Sequence, residues 1–160
     1  SGALAKDDFA EFAKWNAVFR AGRETAELRA ETLQMGHALS ALIDDLPFCS
    51  KHDIEKLHGI GALTFPATFS FAARCMRVDR YAALVAYLWS WLENQVIAAL
   101  KTIPLGQSAG QCMLASIGAE LPDAAQRATQ TDDDQLSNFA PGLAIASSRH
   151  ETQYSRLFRS

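Results

Sequence analysis

The residues best suited to chemistry are a serine framed by glycines, Gly106-Gln107-Ser108-Ala109-Gly110, then Asp132, Asp133 and Asp134, and finally His150. This is the Ser, Asp, His order of an α/β-hydrolase, whose nucleophile sits on a strained turn between a strand and a helix. A small serine hydrolase using Ser108 and His150 is therefore the enzyme alternative. The strained turn needs a parallel sheet beneath it, yet the residues before Gly106 read as a helix followed by Pro104. Ser108 as the N-cap of a following helix accounts for the same letters. His150-Glu151-Thr152-Gln153-Tyr154 opens like the H-E-x-x-H of a zinc protease, but Tyr154 stands where the second histidine must grip the metal. His37, His52 and His58 fall in separate segments with no cysteine or acid at ligand spacing, and they read as surface or loop residues. Gly59-Ile60-Gly61 lacks the third glycine and the preceding strand of a dinucleotide site, and no G-x-x-x-x-G-K-[ST] occurs. Leu136 and Leu143 occupy positions where a calcium loop after Asp132 needs oxygen ligands. No catalytic residue, metal ligand or intrinsic cofactor site is expected.

The elements that would position these residues all read as helices, because no alternating strand pattern appears. Asp8-Phe9-Ala10-Glu11 is a capping box with aspartate at its head, leading into Phe9, Phe12, Trp15 and Phe19 at helical spacing up to Gly22. Over residues 23–45 the stripe Leu28, Met35, Leu39, Leu42 and Leu46, with Thr32 in a missing slot, predicts an amphipathic helix. Pro47 and residues 50–53 read as a loop, followed by a short turn. Pro66 opens a helix over 67–76, Ser108 one to about residue 119, Pro122 one to about residue 131, and Pro141 a last small-residue helix.

Between them runs the longest apolar stretch, YAALVAYLWSWLENQVIAALK over 81–101, with no glycine or proline. Apolar almost all round, it is expected to be buried at the centre of the fold. Its apolar run stops at Leu92, short of the roughly 20 residues that span a bilayer. The fold class is all-α, a single domain over 1–160 built around this helix, with 149–160 as a partner-binding tail.

With 160 residues, 49% apolar and 21% charged, the chain has the composition of one globular domain. A net charge of −3 gives no general attraction to nucleic acid or to an anionic membrane. Cys49, Cys75 and Cys112 are widely spaced, odd in number and outside any C-x-x-C, which predicts reduced thiols and a cytoplasmic location. Ser1-Gly2 opens the chain with no visible signal peptide.

Three stretches carry more information than any of these patterns. The ending PGLAIASSRHETQYSRLFRS, the segment Arg23-Glu24-Thr25-x-Glu27-Leu28-Arg29, and the long helix with its exit, Tyr87-Leu88-Trp89-Ser90-Trp91 through Lys101-x-Ile103-Pro104-Leu105-Gly106-Gln107, together resemble the urease accessory protein UreF family. The resemblance covers most of the chain from about Arg23 onwards. It implies an all-α, non-catalytic scaffold that joins a UreD-type (or UreH-type) accessory protein to the UreG-type GTPase. Nickel and GTP are then handled by those partners during metal insertion into apo-urease. Members of the family also carry an N-terminal portion with a Leu-Pro-x-Gly-Gly-type motif, and this sequence begins after it. The tail residues Arg149, His150, Glu151, Tyr154, Arg156, Leu157 and Phe158 match the ending that the resemblance assigns to docking the UreD-type partner. Tyrosine, arginine and phenylalanine are also the side chains that anchor interfaces. Lys101 and Gln107 match the exit of the long helix and are partner-facing candidates; a lysine complementing a helix C-terminus and a loop amide account for them equally well. A homodimer is expected from the surplus of apolar surface on 81–101 and from the family's two-fold dimers.

Overall fold

A computed structural model describes residues 8–137 and 140–154. In chain order its helices are α1 (Phe9–Ala21), α2 (Ala26–Asp45), α3 (Lys51–His58), α4 (Phe65–Cys75), α5 (Arg80–Thr102), α6 (Gln107–Gly118), α7 (Leu121–Thr129) and α8 (Pro141–Glu151). A short 3-10 turn, Asp133–Gln135, precedes α8, and no strand occurs among the described residues. The fold is all-α. It divides into two compact units: Ser1–Val78 with Asn138–Ser160, and Asp79–Ser137.

Local signals set most helix starts. Asp8 accepts a hydrogen bond from the Glu11 amide (2.9 Å), Thr25 from that of Leu28 (3.2 Å), Ser50 from that of Asp53 (3.1 Å), and Asp79 from those of Tyr81 and Ala82. Each such cap contributes about 1 kcal/mol. The Ser50 cap opens α3, a helix where the sequence predicts a loop. Only Leu57 on α3 is fully buried, so its apolar face is too narrow to stand out among Lys51, His52, Asp53, Glu55 and Lys56. Ser108, by contrast, is no cap: the N-cap of α6 is Gly106, two residues earlier, with no side-chain cap bond.

The first unit is organised by the contact of α2 with α4. Its core comprises Phe12, Ile43, Leu57, Leu63, Ala67 and Phe71. The side of α2 that faces this core is only partly the predicted stripe: Thr32 is buried and Leu39 packs on the core, but the rest of the closest contact is made by small residues. Thr32, Gly36, Ser40 and Ile43 are buried, while Leu42 is 52% exposed. Small residues serve here because the segment leading into α4 crosses α2 at backbone contact: a Cβ on Gly36 would lie 2.3 Å from the Leu63 carbonyl oxygen. Polar side chains then hold that segment. Buried Asn16 donates to the Ala62 carbonyl (2.9 Å) and accepts from both the amide and the hydroxyl of Thr64 (2.9 and 2.8 Å), and the Thr32 hydroxyl accepts from the Phe65 amide (3.1 Å). The first orphan amides of α4 are thereby satisfied by other helices rather than by a cap of its own. Asn16→Ala strips partners from two buried groups of Thr64 and from the part-buried Ala62 carbonyl, and is expected to lower stability by about 3 kcal/mol. Urea denaturation checks this; a loss under about 1 kcal/mol would mean that the network is not what pins the segment.

Cys49 and Cys75 are joined as a disulfide, with Cα atoms 5.1 Å apart, which corrects the expectation of three reduced thiols. Their separation in sequence is 26, and the fold brings them together at the edge of the core that contains Leu57 and Phe71. Closing a loop of that length constrains the unfolded chain by about 3 kcal/mol. Cys112 remains a free, exposed thiol.

In the second unit α5 packs against α6 and α7 through Leu92, Val96 and Leu121, flanked by Leu88, Leu100, Met113 and Leu114. The sequence expects this helix to be buried all round; instead Trp89, Trp91 and Ile97 are 40%, 54% and 48% exposed. Two short helices cover only part of a long helix's circumference. No helix among the described residues is long and apolar enough to cross a membrane.

Candidate functional site

The residues singled out by the sequence lie mainly on α8 and beyond it. Pro141 starts α8 in the first-turn position that needs no amide. Ala144, Ser147, His150 and Glu151 are the half-buried residues of the helix, and three and four residue steps place them along one side. That side meets the first turn of α2. The hydroxyls of Ser147 and Thr25 are 2.7 Å apart, the Glu27 amide donates to a Glu151 carboxylate oxygen (3.0 Å), and His150 Nδ1 lies 2.6 Å from Glu27 Oε2. The Glu151 carboxylate thus caps an amide at the positive end of the α2 dipole, a placement that favours negative charge.

Two aliphatic side chains of α8 nonetheless face solvent: Ile145, on the far side together with Arg149, and Leu143, one turn before Ser147, are 56% and 58% exposed. Arg149 is also exposed, and Tyr154 is fully so. Arg156, Leu157 and Phe158 lie outside the described residues. Lys101 and Gln107 belong to the other unit: the lysine is exposed in the last turn of α5, and the glutamine is the exposed first residue of α6.

Sequence reasoning missed Thr25, Glu27 and Ser147. Thr25 and Glu27 sit within one of the motifs that carry the family resemblance, but their partners lie more than 120 residues away. The histidines differ in the same way. His58 Nε2 is 2.9 Å from Asp44 Oδ1, an acid that no sequence spacing brings near. His37 and His58 also line one groove with Leu33, Ser40 and Ala41. Among the described residues no group of three or more histidine, cysteine or acidic side chains is placed to hold a metal ion. Ser108 is exposed in the first turn of α6 with no strand before it, so the support that a hydrolase elbow requires is missing.

The UreF family model matches residues 1–118. Urease accessory protein UreF of Azoarcus sp. (strain BH72) is 52% identical over 160 residues, covering 99% of this chain and 68% of the relative. The chain belongs to the UreF family. The protein of the same name from Dechloromonas aromatica (strain RCB) is 48% identical over 159 residues (99% of this chain, 70% of the relative). That from Janthinobacterium sp. (strain Marseille) is 46% identical over 153 residues (96% and 68%). These relatives carry the match past residue 118, through α7 and α8. As a UreF-family member the chain is a urease accessory protein rather than an enzyme.

Proposed function

We propose that this UreF-family chain is a non-catalytic scaffold that links a UreD-type or UreH-type accessory protein to the UreG-type GTPase, so that GTP hydrolysis accompanies nickel insertion into apo-urease. The supporting observation is the exposure of Leu143, Ile145 and Tyr154 on α8 and just beyond it. Aliphatic side chains that face solvent beside an arginine and a fully exposed tyrosine are interface chemistry waiting for a surface to cover it. The UreD-type protein is the occupant of this end, with Arg149, Tyr154, Arg156, Leu157 and Phe158 as anchors. Lys101 and Gln107 are partner-facing positions in the second unit. In this reading the chain works as a homodimer, and the exposed Trp89, Trp91 and Ile97 of α5 supply apolar surface for assembly.

Affinity capture with purified UreD-type and UreG-type proteins tests the reading. The expected result is a complex that holds both partners, with two copies of this chain by light scattering, and no direct capture of one partner by the other when the chain is left out. Capture of neither partner by the chain would sink the proposal.

A further inference from the structure

We infer that the first turn of α2, through Thr25 and Glu27, is a seat that fixes the root of the partner-binding tail, making these two positioning residues for docking of the UreD-type partner. The inference rests on the docking role proposed above for the tail. What α8 buries is polar: the Ser147 hydroxyl on Thr25, the His150 imidazole on the Glu27 carboxylate, and the Glu151 carboxylate on the Glu27 amide. Three contacts of this kind hold a helix by direction rather than by area, since a hydrogen bond is lost on rotation through angles that an aliphatic contact tolerates. They fix which side of α8 faces outward, and so where Ile145 and Arg149 point and in which direction the chain leaves Glu151 towards Tyr154. His150 and Glu151 are thereby engaged with α2, and their contribution to docking is orientation.

Thr25 is suited to this task because it is 6% exposed and already serves as the N-cap of α2. The seat is therefore part of the helix terminus itself and cannot drift relative to it. A free tail would sample many directions, and apparent affinity falls by the fraction of molecules in the competent one.

The test uses the full chain with the UreD-type partner and compares Glu27→Ala, Glu27→Gln and Ser147→Ala with a chain truncated after Glu151. In Glu27→Ala the competent population should fall to about a tenth, weakening capture by about tenfold, and the amides in the last turn of α8, then open most of the time, should exchange at nearly the rate of an unfolded chain. Exchange in α4 should be unchanged. Glu27→Gln, whose side-chain oxygen still accepts from the imidazole, should restore both readings, which a role in bulk stability or charge alone would not predict. Ser147→Ala approaches the seat from the other helix and should loosen the same turn, so the outcome does not depend on one variant folding. If the last turn loosens while capture is undiminished, or if neither variant loosens it, the seat is not a positioning device. Should the chain truncated after Glu151 capture the partner at full strength, the docking reading itself fails, whatever the point variants do.

Discussion

Gly36→Ala is expected to destabilise the protein by about 3 kcal/mol, the upper range for overpacking a core. Helix propensity alone points the other way, since alanine in a helix interior is favoured over glycine by about 1 kcal/mol. Sterics decide the sign. The added Cβ would stand 2.3 Å from the Leu63 carbonyl oxygen and 2.8 Å from the Thr64 carbonyl carbon. Both are backbone atoms, so no side-chain rotation relieves the clash. The segment cannot retreat cheaply, because Asn16 and Thr32 hold the Thr64 and Phe65 amides. Moving it breaks those bonds and separates Leu63 from the core. Gly142→Ala, where an added Cβ meets nothing within 4 Å, is the matched control and should be neutral or slightly stabilising. Denaturant midpoints of the two variants compare these effects directly; equal midpoints would show that α2 and the α4 entry are further apart than described.

The same contact shows what kind of information was open to sequence reading. Helix starts were legible at the Asp8 cap and at Pro66 and Pro141 in their first turns, but not at the Ser50 cap, where the short helix that follows shows too little apolar face. The all-α class followed from those and from the absence of alternation. The buried side of α2 was legible at Thr32 and Leu39 but not at Gly36 and Ser40, because a stripe search favours large apolar residues, whereas close helix approach selects small ones. The disulfide and the His58–Asp44 pair depend on tertiary proximity, for which spacing holds no signal. Around α8 the residue types were read as interface chemistry, but not the division of labour among them. That His150 and Glu151 turn inward is set by Glu27, 123 and 124 residues earlier in the chain.

That division changes where the tail should be cut. Removing residues 149–160 takes away His150 and Glu151 along with the anchors, and so mixes loss of the α2 contacts with loss of docking. Removing residues 152–160 leaves α8 and its contacts to α2 in place. Among the residues this shorter cut removes, Tyr154 is fully exposed and contributes no burial to the fold, and the hydrogen bonds of Thr152 run to Arg149 within the same turn. Melting temperature is therefore expected to stay within about 2 °C of the parent, the shift that a change of under about 1 kcal/mol produces in a domain of this size. Capture of the UreD-type partner and urease activation should be abolished. A single large anchor at an interface hot spot is worth roughly 2 kcal/mol or more, so Tyr154→Ala alone should weaken capture by about 30-fold. The cut removes Arg156, Leu157 and Phe158 as well. A fall of several degrees in melting temperature would place the tail in the fold rather than on the partner. Undiminished capture would move the docking surface to Leu143 and Ile145 on α8 or to the second unit, and Leu143→Asp would then separate those two locations.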